Sequence, residues 1–434
     1  MLALDDPEGF FATASWRLGV IGLGYVGLPL LITGVERGLS GVGFDVSADR
    51  LAQLAAGRSP IDDVSDEALR SALSRGATIT DDAKTLTAAD AIVICVPSPL
   101  GRNRQPDLSF IEAAANTVAE VARPGQLISL ESTSYPGTTE GFFLPAIARA
   151  GLELDRDVWL AFSPERVSPG GSLKTGDITK IVGGVTPRSG AVAAAAYRRL
   201  VPAVHVVSSA RAAEMAKLLE NTYRAVNIGL INEMAQLARA LDIDIWEVIE
   251  AAATKPFGFQ AFWPGPGVGG HCVPLDPQYL AWKARGTDFS THFIDLAEQV
   301  NSQMPAYNAE RIAELLKVAG VAIRGAEILA VGIAYKRDIA DDRESASLQV
   351  IDELVRMGAV VSVLDPVVGS ARIASLGFRS VDPGDDLSHF ALAAILTDHT
   401  RIDYRSIASQ VALVYDARGV FRRLGITQDN VTAL

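Results

Sequence analysis

Cysteine is almost missing from this 434-residue chain: there are two, Cys95 and Cys272. Two cysteines cannot make a disulfide framework, and they point to a reducing compartment, so the expected location is the cytoplasm. Histidine is scarce as well. The five, at 205, 271, 292, 389 and 399, have no metal-ligand spacing, so no metal is expected. Positive charge is in deficit, with 39 Lys and Arg against 51 Asp and Glu and a net charge of −12. With no basic run to offset it, that balance excludes nucleic acid and anionic membrane as partners. Long apolar runs are missing too: the longest candidate, 18–33, is too short and too rich in glycine to span a bilayer. Residues 1–16 carry acids where a signal peptide would be basic, and are expected to form a flexible or loosely docked tail. What remains is 49% hydrophobic and 21% charged, the composition of a soluble enzyme of two or three domains.

The pattern from residue 17 is strand, turn, helix. An apolar strand, 17–21, runs into Gly22-Leu23-Gly24-Tyr25-Val26-Gly27, and a helical pattern follows at once. In a dinucleotide cradle the first glycine makes the tight turn, the second lets a pyrophosphate approach the backbone, and the third lets helix and strand pack closely. A second strand, 41–44, ends in Asp45, eighteen residues beyond Gly27. An acid there accepts hydrogen bonds from a ribose diol and repels a 2′-phosphate, which favours NAD over NADP, although Arg50 stands close by. Strands 91–96 and 126–130 end in Pro97-Ser98-Pro99 and Glu131-Ser132-Thr133, and strand 158–162 is followed by Ser163-Pro164-Glu165-Arg166. Doubly wound sheets hold ligands at that edge, so Ser98 and Thr133 are candidate cofactor contacts and Glu165 a candidate base. Turn chemistry and a solvated loop acid are the alternatives.

Residues 210–252 then read as long helices without proline. Lys217 and Asn221, four apart, project from one face. A helix is expected over 305–319, and strand 327–332 opens a second α/β unit. Its loop carries Lys336, Arg337 and Arg343, helix 346–357 and strand 360–364 follow with Asp365 at the strand end, and a last strand, 412–415, precedes Asp416-Ala417-Arg418. The glycine fingerprint is absent there, so no second dinucleotide is expected, while cations at strand ends suit a phosphate-bearing ligand.

Between these parts lies GPGVGGHCVPLDP, 265–277, which sets Cys272 after a glycine-rich bend. Pro274 suits the first turn of a helix, and Asp276 would then lie in that turn. Cys272 at the helix N-terminus would be favoured as a thiolate, hence as a nucleophile; the alternative is a small buried side chain beside a turn.

Taken together, GLGYVGLPL, VPSPL, ESTSYPGTTE, SPERVSPG, the Lys217 and Asn221 pair, PGPGVGGHCVPLDP, AYKRDIADDRES and YDARGVF resemble the UDP-glucose/GDP-mannose dehydrogenase family over nearly the whole chain after Trp16. The resemblance implies an α/β fold of two Rossmann-like doubly wound domains joined by a central helical dimerisation region. The tail would occupy 1–16, the NAD-binding domain 17–209, the central helical domain with the cysteine loop 210–305, and the C-terminal UDP-sugar-binding domain 306–434. It implies a two-step oxidation of a C6 alcohol to a carboxylate with Cys272 as nucleophile. Lys217, Asn221, Glu165, Asp276 and Thr133 would be its catalytic partners. NAD would be held by Gly22, Gly24, Tyr25, Val26, Gly27, Asp45, Arg50, Pro97, Ser98, Ser132 and Thr133, with Arg343 reaching it from the last domain. The nucleotide sugar would meet Glu165, Arg166, Lys217, Asn221, Phe262, Gly265, Gly269, Gly270, Tyr335, Lys336 and Arg418. A homodimer or a higher homo-oligomer is implied. Within the family the chain is most similar to the branch that oxidises UDP-N-acetylhexosamines, with UDP-N-acetylglucosamine as the expected substrate. UDP-N-acetylmannosamine, UDP-glucose and GDP-mannose are the alternatives, and a non-catalytic nucleotide-sugar binder is the alternative of another class. Lys255-Pro256-Phe257 stands where UDP-glucose enzymes usually carry an arginine.

Overall fold

The computed structural model describes residues 4–61, 63–101, 105–167, 177–270 and 272–434. They divide into two compact units, one made of Met1–Glu220 with Gln278–Asp288, the other of Asn221–Pro277 with Phe289–Leu434. In chain order the first elements are α1 (Pro7–Thr13), β1 (Arg17–Ile21), α2 (Gly27–Glu36), β2 (Ser40–Phe44), α3 (Ala48–Ala55), α4 (Asp66–Ser74), β3 (Thr78–Thr80) and β4 (Ala91–Ile94). Next come α5 (Ser109–Val121), β5 (Gln126–Leu130), α6 (Thr138–Arg149), β6 (Val158–Phe162), β7 (Lys180–Gly184), α7 (Pro187–Tyr197), β8 (Val204–Val207) and the 31-residue α8 (Ala210–Ala240). After them come α9 (Ile245–Ala253), α10 (Asp276–Ala284), α11 (His292–Val318), β9 (Glu327–Val331), α12 (Ala346–Arg356) and β10 (Val360–Leu364). The chain closes with α13 (Ser370–Ser375), β11 (Arg379–Ser380), β12 (Leu392–Ile395), α14 (Tyr404–Gln410), β13 (Val414–Asp416), α15 (Val420–Arg423) and β14 (Val431–Ala433).

The first unit holds an eight-stranded sheet in the order β3-β2-β1-β4-β5-β6-β7-β8. Strands β1, β4, β5 and β6 are apolar and buried on both faces, as a parallel sheet covered by helices requires. The strand order reverses between β1 and β4, the switch point where doubly wound sheets hold ligands. One pairing breaks the parallel pattern: β7 runs antiparallel to β6, with Ala161 opposite Gly184 and Phe162 opposite Gly183. Sequence reading did not find β7. Its direction brings its first residue, Lys180, to the edge where β5 and β6 end.

The second unit holds a six-stranded sheet, β11-β10-β9-β12-β13-β14, parallel throughout. It repeats the switch point between β9 and β12, and it repeats a detail of wiring. In the first sheet Gly22 follows β1 at φ +92°, and Asp45 at the end of β2 accepts the Leu23 amide at 2.8 Å. In the second, Gly332 follows β9 at φ +82°, and Asp365 at the end of β10 accepts the Ile333 amide at 2.7 Å. A left-handed turn clamped by the next strand's acid is thus common to both sheets, and only the first goes on to the remaining glycines.

Three expectations are corrected. Residues 4–16 are not a loose tail: α1 is capped by Asp6, which accepts the Gly9 amide at 2.9 Å, and Phe11 and Trp16 are buried in the first unit's core. Their apolar area outweighs the acids that made the segment look solvated. The helix expected over 305–319 begins at His292 and carries Pro305 inside it, so proline marks no boundary there. Helix α10 starts at Asp276, not at Pro274; residues 273–275 form turns, and the Asp276 amide donates to the Cys272 carbonyl at 2.9 Å.

Candidate active site

The cofactor end of the first unit is built by three glycines with distinct duties. A Cβ on Gly22 would lie 2.6 Å from the Cys95 carbonyl oxygen, and a Cβ on Gly27 would lie 1.9 Å from the Gly22 carbonyl oxygen. These two are glycine because the chain itself leaves no room. Among the described residues a Cβ on Gly24 would meet nothing within 4 Å beyond its chain neighbours, so its space is open to a ligand. No side chain caps α2 at its Val26 N-cap, whereas Ser47 caps α3 and Ser65 caps α4. An open glycine before an uncapped helix N-terminus fits a pyrophosphate, whose charge the amides and the helix dipole attract. Tyr25 is exposed and Val26 half-buried beside it.

Asp45 is buried. Its carboxylate accepts from Leu23 N at 2.8 Å, Ser47 N at 2.9 Å and Arg50 Nη1 at 2.8 Å. Burial works against its charge, but those hydrogen bonds outweigh it and hold the carboxyl below the ordinary 3.8. Of about four acceptor positions on a carboxylate, one remains for a ribose hydroxyl. The corresponding Asp365 of the second sheet accepts from Ile333, Ala334, Val367 and Val368 amides and faces His399 Nε2 at 3.1 Å. It has no such position left for a ribose hydroxyl.

Ser132 and Ser98 prove to be held by the scaffold. The Ser132 hydroxyl donates to the Val96 carbonyl at 2.8 Å, tying the end of β5 to the end of β4. Tyr279 donates to the Ser98 carbonyl at 3.0 Å, which fixes the Pro97-Ser98 loop. Pro97 is exposed, and Ser98 and Thr133 are half-buried. The loop after Thr133 is anchored by Glu214 of α8, which accepts the Gly137 amide at 2.6 Å, the Thr139 amide at 2.9 Å and the Thr139 hydroxyl at 2.7 Å. Tyr279 and Glu214 were not found from sequence, since nothing local marks a residue whose partner lies across the fold.

Glu165 follows β6. Its Oε1 accepts the Arg166 and Val167 amides at 2.7 and 2.8 Å, and its Oε2 lies 3.1 Å from Lys180 Nζ. Burial opposes its charge, and Lys180 with the two amides outweighs burial, so the carboxyl lies below its usual value. Arg166 is engaged with Glu220 of α8 at 2.9 Å and with the Thr179 carbonyl at 2.9 Å. Lys217 lies half-buried on α8.

In the second unit, Asn221 Nδ2 donates to Asp276 Oδ2 at 2.5 Å, and both side chains are buried. Asp276 is joined through its backbone amide to the Cys272 carbonyl, so the pair braces the cysteine turn. Neither cysteine is in a disulfide: Cys272 is exposed and Cys95 is buried. The glycines before Cys272 have neighbours in this same unit. A Cβ on Gly265 would lie 2.7 Å from Arg418 Nη1, one on Gly269 would lie 3.1 Å from Tyr335 Cβ, and one on Gly270, at φ +83°, would lie 2.8 Å from the Tyr335 ring. The glycines therefore let the loop lie directly on Tyr335 and Arg418. Phe262 packs edge-on against Tyr223 at 5.9 Å. Arg343 is folded onto Asp341 at 2.7 Å, while Arg337, Arg418 and Arg423 converge on the buried Asp398. Lys336 is half-buried in the same loop as Tyr335. His271 and residues 168–176, parts of two of the motifs quoted above, lie outside the described residues. Among the described residues no three His, Cys, Asp or Glu side chains group as metal ligands, and no helix is long and apolar enough to cross a membrane.

Comparison with known proteins matches three successive segments of the chain to one family. Residues 16–201 match the NAD binding domain of the UDP-glucose/GDP-mannose dehydrogenase family, residues 211–303 its central domain, and residues 329–423 its UDP binding domain. A UDP-N-acetyl-D-mannosamine dehydrogenase of Pyrococcus horikoshii is 35% identical, covering 94% of this chain and 96% of that protein. A UDP-N-acetyl-D-glucosamine 6-dehydrogenase of Salmonella typhi is 34% identical, covering 93% and 96%. The solved structure of a UDP-D-ManNAc dehydrogenase from Pyrococcus horikoshii superposes with a TM-score of 0.85 at 32% identity, covering 96% of this chain and 98% of the other.

Proposed function

We propose, for a chain that belongs to the UDP-glucose/GDP-mannose dehydrogenase family and is an NAD-dependent nucleotide-sugar dehydrogenase, that its substrate is a UDP-N-acetylhexosamine, UDP-N-acetylglucosamine first among them. The product is the 6-carboxylate, formed by removing four electrons per sugar. What supports the covalent four-electron course is the bracing of Cys272; the choice of sugar rests on the similarity to the relatives named above. An exposed thiol stands at the head of a turn held by the buried Asn221 and Asp276 pair, in a loop whose glycines rest on Tyr335 and Arg418.

The chemistry assigns each residue a task. NAD supplies the hydride acceptor, and the open Gly24, the uncapped α2 and Asp45 are the groups that would hold it. The Cys272 thiolate adds to the C6 aldehyde and forms a thiohemiacetal, which keeps the intermediate bound and gives it a tetrahedral carbon able to lose hydride. Lys217 offsets the negative charge on the C6 oxygen, and Asn221 orients that oxygen. After the second hydride is lost the thioester is opened by water. The water proton passes to Glu165, the C–S bond breaks with its electrons returning to sulfur, and Asp276 orients the water. Thr133 lines the reacting face. Because the cycle needs a free thiol, the protein works in a reducing compartment, the cytoplasm.

The protein works as a homodimer through α8. Met215, Leu219, Tyr223, Leu230 and Leu237 are exposed at spacings that fall on one face of that helix, an apolar stripe suited to a second copy.

The test is a panel of UDP-N-acetylglucosamine, UDP-N-acetylmannosamine, UDP-N-acetylgalactosamine, UDP-glucose and GDP-mannose, scored for rate and for NADH formed per sugar. Highest kcat/KM with UDP-N-acetylglucosamine and two NADH per sugar are expected. Preference for another sugar would overturn the substrate, and one NADH per sugar would overturn the covalent four-electron course.

A further inference from the structure

The first unit buries a lysine between two carboxylates at the sheet edge that carries Glu165. Lys180 Nζ lies 2.7 Å from Glu131 Oε2, 3.1 Å from Glu165 Oε2 and 3.4 Å from the Pro164 carbonyl oxygen. Three acceptors for three ammonium protons leave it saturated. The Glu131 carboxylate is itself anchored, accepting at Oε1 from the Tyr197 hydroxyl at 2.7 Å, and Tyr197 is paired with Ser129 Oγ at 2.9 Å. Lys180 and Glu131 have side-chain exposures of 3% and 0%, and Glu165 has 15%. Of the three charged groups, only Glu165 reaches solvent.

We propose that Lys180 is the positioning residue for Glu165: with Glu131 and Tyr197 behind it, it holds the Glu165 carboxylate in the one orientation from which it accepts the proton of the attacking water. The proposal rests on the reading of Glu165 given above. Its argument is geometric. Two backbone amides fix Oε1 and Lys180 fixes Oε2, so three of about four acceptor positions are engaged and the remaining one is on Oε2. The antiparallel β7 makes this possible. Extending the β6 and β7 register beyond Phe162 and Gly183 sets residue 165 against residue 180.

A buried ion cluster is costlier than apolar packing of the same volume, so its presence beside a candidate base is better suited to orientation than to stability. Burial works against the Lys180 charge, but Glu131 and Glu165 outweigh it and keep the group an ammonium. In turn Lys180 keeps Glu165 low, while burial pushes Glu131 up. Among the described residues, the other groups that face this cluster are Tyr197 from α7 and Cys95 from the end of β4. Arg166 is turned onto Glu220.

Three variants and a reference test this. Lys180→Met with Glu131→Gln removes the two most deeply buried charges together, so the one carboxylate left without its cation is Glu165, which reaches solvent and keeps its two backbone amides. That variant is expected to keep the rapid first burst of NADH and to hold KM for both substrates within about threefold. It is expected to lose about tenfold or more in kcat at neutral pH, and its acid limb of kcat should move up by about one pH unit. Lys180→Arg should restore kcat to within about threefold, because it returns the cation. Glu131→Gln alone should move the acid limb the opposite way, downward, since it removes a like charge beside Glu165. Glu165→Gln is the reference and should show the burst followed by slow turnover. If Glu165→Gln is impaired but the Lys180 variants keep the wild-type kcat and pH profile, the Lys180 proposal alone is overturned. If Glu165→Gln turns over at the wild-type rate, both readings fail together.

Discussion

Replacing Gly24 by alanine adds one methyl group to the turn between β1 and α2, and among the described residues nothing beyond its own chain neighbours lies within 4 Å of where that methyl would sit. Replacing Gly27 adds the same methyl where the Gly22 carbonyl oxygen stands 1.9 Å away and Val20 Cγ1 stands 2.9 Å away. The two substitutions are chemically identical, and the structure predicts opposite outcomes. At Gly24 the free chain loses no contact and the unfolded state loses entropy, so stability should hold or rise by about 0.4–1 kcal/mol. At Gly27 helix and turn must part by more than about 1 Å, against a usual overpacking cost of about 1–3 kcal/mol. With backbone as the obstacle, the upper end is expected, a fall of about 6–12 °C in Tm for a unit of this size. Affinity should reverse the ranking. A methyl in the space a pyrophosphate would use should cost about 1.5–3 kcal/mol, or about 10- to 150-fold in Kd for NAD. Thermal unfolding and calorimetric titration with NAD, run on the same preparations, separate the two effects. Undiminished NAD affinity in Gly24→Ala would refute the cradle reading, and a Gly24→Ala variant as unstable as Gly27→Ala would refute the contact geometry itself.

Asn221→Ala should cost about 1–2 kcal/mol, because the buried Asp276 carboxylate loses a 2.5 Å donor. It should also lower kcat more than it raises KM, which steady-state kinetics would check against thermal unfolding. Leu230→Glu with Leu237→Glu, both at exposed positions on α8, should halve the mass seen by light scattering; an unchanged mass would remove α8 as the dimer surface. Asp398 is pushed up by burial, but Arg418, Arg337 and Arg423 outweigh burial and bring its carboxyl below the ordinary 3.8. Its contribution is therefore complete above that value and lost as pH falls through the lower folded-state value. Asp398→Asn should be less stable at pH 7 by about 2 kcal/mol and should flatten the loss of stability as pH falls below the ordinary carboxylate value, read by denaturant midpoints. Phe11→Ala, at a fully buried position in the segment before β1, should cost about 3–5 kcal/mol in thermal unfolding. A cost near zero would return 1–16 to the status of a loose tail.

The parts of this protein legible in its sequence are those whose partners lie close along the chain. Gly22, Gly24 and Gly27 act within one turn, and their spacing alone announces the cradle. The strands β1, β5, β6 and β10 are apolar runs bounded by turn residues, and they fall at the expected positions. Helix ends were less legible. Pro274 and Pro305 both looked like starts, yet α10 begins later and α11 earlier, because a proline permits a first turn without dictating it. The acids of 1–16 concealed the apolar Phe11 and Trp16.

Glu165 shows where sequence stops and tertiary structure takes over. Its place after an apolar strand marked it as a candidate, but not whether it is a base or a loop acid. That depends on Lys180, fifteen residues further on, and on Glu131, forty-nine residues from Lys180. No local pattern foretells such a meeting, because it requires one strand to run against its neighbour. The same holds for the glycines before Cys272. The sequence by itself determined that the chain must bend closely there. Only the fold decided against what, since Tyr335 and Arg418 reach the loop through contacts that bring distant segments together. Backbone conformation is local and written residue by residue; an electrostatic environment is a sum over neighbours, and neighbours are assigned by packing.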